Sequence, residues 1–376
     1  MLGKTTIKKI AFRLSVALLM VLPLFAGTAG IASAHGYREN SRVVYTMTNA
    51  AEGNAIQVYK RAEDGTLTAG GVFPTGGLGT GADLGSQGAL ATSADGRLLF
   101  AVNAGSNEIS SFRVKGYHLT LVDTVSSDGP DPISLTAYGH LLYVLNAGSS
   151  GSITGFRVSS RGNLSHIAGS TQPLSNQGSG PAPSPEQISF NPNGKLLVVT
   201  EKGSNLIDIY PVHNGKAERP DVQMSAGPAP YGFGFTKTNV LVVSEAANSG
   251  TSSYKISRGQ FEVISASIPD NQGAACWLTV TNNRKFVYVA NAGTGNISAY
   301  QAKSNGKLVL IGDGVAGVTG DGTHPFDMGV SQGDQYLYVL NVGTNTISAF
   351  AIQGNGTLSF IKNIDAPAAA SGLIAR

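Results

Sequence analysis

Residues 286–291 read FVYVAN, and they are followed by the turn AGTG at 292–295 and the alternating segment NISAY at 296–300. The same unit occurs seven times: an apolar run ending in Asn or Glu, a Gly/Ser/Asn turn and an alternating strand. The seven terminal residues are Asn49, Asn103, Asn146, Glu201, Glu245, Asn291 and Asn341. Alternation with a period of two is typical of half-buried strands. The chain is therefore predicted to be a repeat protein built from strands.

Two further strands belong to each unit. A third follows the pair, as at 308–311, and a fourth precedes the apolar run, as at 277–280. Four antiparallel strands in a unit of roughly 40–55 residues are typical of a propeller blade, so we predict an all-β, seven-bladed β-propeller. The first unit lacks its preceding strand, and residues 371–376 (SGLIAR) match the missing type. We expect this C-terminal strand to complete the first blade and close the ring.

The composition agrees with a large folded core. Of 376 residues, 41% are hydrophobic, 13% are charged and 49 are glycine, which excludes a disordered chain and a charged coiled coil. Cys276 is the only cysteine, so an internal disulfide is excluded and stability must come from packing. The glycine run at 76–81 has no phosphate-loop pattern and is predicted to be a long flexible loop.

The first 34 residues have the features of a signal peptide. Four basic residues precede an apolar run at 14–26, and Ala32-Ser33-Ala34 forms a cleavage site of the small-x-small type. We therefore predict a signal peptide at 1–34, a propeller at 35–376 and a location outside the cytoplasm. Without the four basic charges the formal +3 becomes slightly negative, so we expect no nucleic-acid partner. We also expect a monomer with no transmembrane segment after cleavage.

Three stretches carry a family resemblance. FNPNGK at 190–195, VYVANAG at 287–293 and LYVLN at 337–341 resemble the repeats of lactonase-type seven-bladed propellers and YVTN-repeat proteins. The resemblance covers the mature chain and implies hydrolysis of a sugar-acid lactone or cyclisation of carboxymuconate. Such members carry Arg-His in the inner strand of a middle blade, where this chain has Glu186 and Gln187.

Two glutamates interrupt the repeat and predict a site. Asn at the end of the apolar run can bond the following turn, whereas the carboxylates of Glu201 and Glu245 cannot donate in that way. Counting outward from the turn at Asn193-Gly194 places Glu186 opposite Glu201 in the hairpin. Carboxylates that share one channel mouth either raise each other's pKa, giving an acid and a base, or gather a cation. We predict Glu201, Glu186 and Glu245 as catalytic residues, with solvated positions on the rim as the alternative.

Other side chains are predicted at the same end of the inner strands. The predicted ligand-binding residues are Gln187, Asp131, Tyr231, Trp277, His324 and Asp327. His324 has an exposed loop position as its alternative, and Trp277 has a core position. Cys276 is expected to be buried rather than nucleophilic, because no histidine is near it in the sequence. The histidines show no zinc-ligand spacing, and we predict neither a metal nor a cofactor.

Two functions from different classes follow. The first is an exported lactonase-like enzyme that hydrolyses or isomerises a lactone, or a related sugar or aromatic acid, at the channel mouth. The alternative is a non-enzymatic propeller that recognises a protein or a cell-wall glycan with its loops. An acidic concave mouth would favour the first function, and a broad face of exposed aromatic side chains would favour the second.

Overall fold

The computed structural model describes residues 1–3, 42–175, 180–237, 239–257 and 260–376. Apart from its first three residues, the predicted signal peptide lies outside these ranges, so that prediction stands on the sequence alone. Every regular element in the described ranges is a β-strand. No helix among the described residues is long and apolar enough to span a membrane.

The strands are named here in chain order. In the first half they are β1 (Val43–Met47), β2 (Ala55–Arg61), β3 (Leu67–Pro74), β4 (Leu90–Thr92), β5 (Leu98–Asn103), β6 (Glu108–Lys115), β7 (His118–Ser126), β8 (Pro132–Tyr138), β9 (Leu141–Asn146), β10 (Ser152–Val158), β11 (Leu164–His166), β12 (Gln172–Pro173), β13 (Pro185–Phe190), β14 (Leu196–Glu201) and β15 (Leu206–His213). In the second half they are β16 (Lys216–Ala217), β17 (Asp221–Met224), β18 (Pro230–Lys237), β19 (Val240–Glu245), β20 (Gly250–Ser257), β21 (Gln260–Pro269), β22 (Ala275–Val280), β23 (Phe286–Asn291), β24 (Asn296–Ala302), β25 (Leu308–Leu310), β26 (Gly317–Val318), β27 (Pro325–Val330), β28 (Tyr336–Asn341), β29 (Thr346–Ile352), β30 (Leu358–Asp365) and β31 (Ser371–Ala375).

These strands form seven antiparallel sheets, one per blade. From the axis outward the blades are β31-β1-β2-β3, β4-β5-β6-β7, β8-β9-β10-β11, β13-β14-β15-β16, β18-β19-β20-β21, β22-β23-β24-β25 and β27-β28-β29-β30. In blades 3, 4 and 6 the outer strand is broken, and β12, β17 and β26 form its second piece. The predicted seven-bladed propeller of four-stranded blades is confirmed.

The predicted closure is also confirmed. The C-terminal strand β31 pairs antiparallel with β1, placing Tyr45 opposite Ile374 and Thr46 opposite Leu373. The hydroxyl of Thr46, fully buried, donates to the Gly372 carbonyl at 2.6 Å. The first and last parts of the chain therefore share one sheet, and no inner strand of blade 1 is left open.

The tyrosine of the repeat explains how neighbouring blades are joined. Each of Tyr143, Tyr288 and Tyr338 is fully buried in the second strand of its blade. Their hydroxyls donate to carbonyls in outer turns of the next blade, from Tyr143 to Gly215 at 3.0 Å and from Tyr338 to Gly65 at 2.8 Å. A buried phenol without such a partner would cost free energy, so the Tyr-Val pattern specifies blade packing as well as the strand.

The strand order defines two faces. Inner strands begin at what we call the upper face, which also carries the turns between second and third strands. The lower face carries the turns between first and second strands and between third and fourth strands. The ends of the seven apolar runs therefore all lie at the upper face, as the repeat predicts.

Candidate active site at the upper face

A segment of the chain crosses the axis at the upper face. Residues 84–88, which lead into the inner strand of blade 2, lie between the inner strands of the other blades; we call them the crossing segment. The side-chain amide of Gln87 donates to the Leu278 carbonyl at 2.6 Å and accepts from the Leu278 N–H at 2.9 Å. The indole of Trp277 donates to the Ser86 carbonyl at 3.0 Å. Blade 2 is thereby tied to blade 6 across the axis.

The same segment contacts blades 3, 4 and 5. The Ser86 hydroxyl donates to the Ile133 carbonyl at 2.9 Å, and the Gln87 N–H donates to the Glu186 carbonyl at 2.9 Å. The hydroxyl of Tyr231 donates to the Gly85 carbonyl. The crossing segment therefore bonds to blades 3, 4, 5 and 6 at the upper face.

The glycine run that precedes this segment is held by close contacts. A Cβ on Gly79 would lie 2.1 Å from the backbone carbonyl carbon of Asn49, so only glycine fits there. The side chain of Asn49 is fully buried and donates to the Thr80 hydroxyl at 2.8 Å. The prediction of a long loop at 76–81 holds, but the loop is packed on blade 1 rather than extending freely into solvent.

The inner strands begin with a β-bulge, which changes the predicted register. Pro185, not Glu186, lies opposite Glu201, and the bulge falls between Pro185 and Gln187. The predicted pairing of Glu186 with Glu201 is therefore wrong by one residue. The same irregularity occurs in blades 3, 5, 6 and 7. A bulge leaves one extra residue unpaired and redirects its side chain, which a count from the turn cannot show.

The bulge residues of blades 4 to 7 meet at the mouth. The ring of Trp277 stacks on Phe326 with centroids 3.6 Å apart and lies 4.8 Å from the ring of Tyr231. The ammonium of Lys202 bonds the Glu186 carboxylate at 2.6 Å and sits 5.1 Å from the Tyr231 ring centroid. We call these five side chains the mouth cluster. It combines a carboxyl group, a cation and an aromatic surface.

Burial controls the ionisation of the carboxyl group in this cluster. Only 5% of the Glu186 side chain is exposed, and the desolvation raises its pKa to about 7, with the neighbouring Lys202 acting in the opposite direction. Lys202 itself is 41% exposed and covers the carboxylate on the solvent side. A carboxyl group with a pKa near neutrality can both accept and return a proton at physiological pH.

Asp327 lies beside this cluster but is held by the backbone. Burial raises the pKa of its carboxyl to about 8, and the N–H groups of Gly88 and Gly372 bond it. Asp327 therefore links the crossing segment to the closing strand β31. Asp327 is 4% exposed, so it faces the protein interior.

Glu201 faces the interior of blade 4 and forms a carboxyl pair with Asp208. The N–H of Ser175 donates to both residues, at 3.1 Å to Glu201 and 3.0 Å to Asp208. Both carboxyl groups are fully buried, and burial together with Glu201 raises the pKa of Asp208 to about 8. In blades 2, 6 and 7 the same two positions hold Asn and Ser, bonded at 2.7 Å. The pair thus occupies the place of an interstrand Asn–Ser bond.

Glu245 is likewise enclosed within its blade. Its carboxylate is fully buried and accepts from the Gly227 N–H at 2.9 Å and from the hydroxyl of Ser252. Ser252 corresponds to the serine that bonds Asn in other blades. The structure therefore does not bring Glu245 or Glu201 to the mouth where Glu186 lies.

Three of the predicted ligand-binding residues are also engaged elsewhere. Gln187 bridges two blades, accepting from the Phe233 N–H at 2.7 Å and donating to its carbonyl at 3.1 Å. Asp131 and His324 lie in the loops leading into blades 3 and 7 with φ of 55° and 45°. His324 is exposed, with Nδ1 3.0 Å from the Ala292 carbonyl oxygen. Both residues lie in loops of the upper face.

Cys276 agrees with the expectation of a buried thiol. It is 8% exposed, and burial raises its pKa to about 12. Within the part of the chain that the structure describes, no group of three or more His, Cys, Asp or Glu is arranged to hold a metal ion.

Sequence reasoning missed Lys202, Phe326 and the crossing segment. Lys202 could have been found, because it is the one Lys or Arg in the upper-face turns of the described ranges. Phe326 immediately precedes Asp327 in the seventh inner strand. It could have been predicted as a site residue if the position of the bulge had been known. The crossing segment carries no local signal, since its partners lie in other blades, and those in blade 6 are 191 positions away.

Comparison with known proteins gives the same architecture. Residues 46–370 match the family described as "Lactonase, 7-bladed beta-propeller". The chain is 26% identical over 247 residues to a "Probable 6-phosphogluconolactonase" of Arthroderma benhamiae, covering 58% of this chain and 62% of that protein. It is 25% identical over 253 residues to a 6-phosphogluconolactonase of Bacillus subtilis, covering 61% and 71%. The aligned region thus spans less than two thirds of the Arthroderma protein.

Solved structures share the fold at lower identity. The periplasmic gluconolactonase of Pseudomonas aeruginosa superposes with a TM-score of 0.72 at 18% identity, covering 88% of this chain and 98% of that one. A protein from Lactobacillus plantarum superposes with a TM-score of 0.71 at 19% identity, covering 89% and 98%. At this identity the likeness describes the fold alone.

Proposed function

The chain belongs to the lactonase family of seven-bladed β-propellers, and from that premise we propose that it hydrolyses an unphosphorylated lactone at the mouth cluster. The observation that carries the proposal is the contact of 2.6 Å between the Glu186 carboxylate and the Lys202 ammonium at the channel mouth. Relatives named 6-phosphogluconolactonase and gluconolactonase support a lactone as the substrate class.

In the proposed reaction Glu186 is the general base and Lys202 the electrostatic partner. The Glu186 carboxylate accepts a proton from water while the water oxygen attacks the lactone carbonyl carbon. The Lys202 ammonium stabilises the negative charge that develops on the carbonyl oxygen. The ring carbon–oxygen bond then breaks, and protonated Glu186 returns its proton to the departing oxygen. The products are a hydroxy acid and the unchanged enzyme.

The other members of the cluster would position the sugar ring. Phe326 is only half buried and offers an apolar surface suited to the C–H face of a sugar, whereas Trp277, 2% exposed, lies in the core position given as its alternative and supports Phe326 by stacking. The upper face supports an uncharged substrate, because Lys202 is its one cation among the described residues and is already paired with Glu186. A phosphate group there would meet carboxylates rather than arginines.

The proposal can be tested by measuring the protons released during lactone hydrolysis in lightly buffered solution. Glu186→Gln should lower kcat/KM by at least about 100-fold, since general acid–base catalysis contributes 10²–10⁴-fold. Glu52→Gln is the matched control, because Glu52 is an exposed glutamate in an upper-face turn of blade 1. A phosphorylated lactone should be a poorer substrate than its unphosphorylated counterpart.

The pH profile separates catalysis from misfolding. The rate of the wild-type protein should rise as pH passes about 7, where Glu186 loses its proton. Lys202→Met should move this rise to higher pH, because the cation lowers the pKa of Glu186. Full activity of folded Glu186→Gln, or loss of activity only in Glu201→Gln or Glu245→Gln, would overturn the assignment.

We further propose that the protein acts outside the cytoplasm, on the support of the N-terminal sequence alone. Expression with the complete N-terminus should then give an exported chain that begins at His35, as read by N-terminal sequencing. An intact N-terminus on a cytoplasmic product would contradict this.

A further inference from the structure

The two faces of the propeller carry opposite charge. In the described ranges every Lys and Arg except Lys202 and Lys362 lies on the lower half of its blade, in or beside the lower-face turns. Lys362 lies midway along an outer strand. Most Asp and Glu residues lie in the upper half. The formal net charge of the chain is only +3, but positive and negative charges are strongly separated between the two faces.

Acidic residues on the lower half are few and leave most cations unpaired. They are Glu63, Asp64, Asp95, Glu218, Glu262 and Asp334 among the described residues. The ion pairs formed there by Lys or Arg in the described ranges are Arg42–Glu63 at 2.9 Å and Arg97–Asp95 at 3.6 Å. Arg61 is 7% exposed and donates to the Arg376 carbonyl at 3.0 Å, and the other Lys and Arg side chains there form no ion pair within the described residues.

Two cavities concentrate these cations on different sides of the lower face. One, of about 520 Å³, is lined by Arg97, Arg113, Lys115 and Arg376, with Asp95 as its one acidic residue. A Cβ on Gly96 would fall within the Arg376 guanidinium, so glycine at this turn allows that side chain to reach the cavity.

The second cavity lies between blades 5 and 6 and has a volume of about 630 Å³. It is lined by Lys237, Arg284, Lys285 and Lys303, and no carboxylate borders it. All four side chains are exposed. Within the described residues none of them lies within 4.0 Å of a carboxylate oxygen. Each cavity thus offers a concave seat for phosphate groups.

The lower face is rich in charged side chains and poor in exposed apolar ones. This restricts the chemical class of partner that it can bind. Exposed large apolar side chains of the propeller lie on outer strands at the rim, except Leu78 and Tyr138, and only Tyr138 is on the lower face. Stacking of bases needs a set of exposed aromatic rings, and insertion into a bilayer needs an apolar wedge. A flexible phosphate polymer without bases needs only spaced cations.

We propose that the lower face binds a base-free phosphodiester polymer of the poly(glycerol phosphate) type, with phosphates seated in the two basic cavities. The polymer would hold the disc by its lower face and leave the channel mouth open to solution. The site does not depend on the proposed lactone hydrolysis, because it shares no residue with the mouth cluster.

The test is fluorescence anisotropy of labelled poly(glycerol phosphate) with the purified full chain. Contact with four phosphates predicts a loss of affinity of about 50-fold between 50 and 200 mM salt, at a slope of about −0.7 per phosphate. Arg97→Gln, Arg113→Gln and Lys115→Gln combined should remove the two phosphate contacts of the first cavity and reduce that slope by about 1.4. Lys115→Gln alone should weaken binding several-fold, whereas the matched control Lys362→Gln should not.

Each other outcome overturns the proposal. Absence of binding at 50 mM salt would remove the site, and equal effects of Lys115→Gln and Lys362→Gln would show unspecific attraction. Single-stranded DNA or anionic vesicles binding as tightly at equal phosphate concentration would show that the face does not select this polymer. Circular dichroism of every variant shows whether the fold is retained.

Discussion

Closure of the ring by the C-terminal strand predicts a large effect from one terminal side chain. Leu373 in β31 is 6% exposed and belongs to a buried cluster with Val44, Tyr338 and Leu340 from blades 1 and 7. Leu373→Ala removes contacts with both the first and the last blade. Substitutions of buried Leu by Ala cost about 2–5 kcal/mol through lost burial and the cavity left behind.

Thermal unfolding measures this effect. In a chain of this size each kcal/mol corresponds to roughly 1–2 °C, so Leu373→Ala should lower the melting temperature by roughly 3–8 °C. Leu121→Ala is the matched control, since Leu121 is 41% exposed on the outer strand β7 and should change it by less than about 1 °C. Equal melting temperatures for the two variants would refute the closure argument.

Two further predictions concern buried ionisable groups. Because burial raises the pKa of Asp208 and Asp327 from 3.8 to about 8, the folded state binds protons that the unfolded state has released, and stability should fall as pH rises from 4 to 9. Asp208→Asn should reduce this fall in pH-dependent melting curves; an unchanged fall would contradict the role of the carboxyl pair. Cys276, with its pKa raised to about 12, should react with a disulfide reagent at pH 7.5 at least about 100-fold more slowly than in unfolded protein, and rapid labelling of the native chain would disprove its burial.

The sequence was sufficient for the architecture because the information is local and repeated. The run at 286–291 and its six counterparts each specify a strand and a turn, and together they predict the number of blades. The strand type of residues 371–376 predicts the closure. None of these inferences requires knowledge of how side chains meet across the axis.

The site depends on features that are not local. A bulge shifts Glu186 by one residue relative to Glu201, and the period-two pattern of the sequence does not reveal such a shift. The replacement of Asn by Glu201 and Glu245 was a real signal, but it reports a change in bonding within two blades. Lys202 was not among the predicted site residues; a lysine in a turn is usually a solvated surface residue.

The crossing segment has a consequence for how the molecule is made. Gln87 emerges during synthesis long before Leu278, and β1 emerges before β31, so neither can be completed until almost the whole chain exists. Contacts between residues so far apart in the chain form slowly, so the crossing segment is expected to take its final position late in folding. The contacts across the axis and the pairing of the first blade with the last strand are therefore expected to form late in folding.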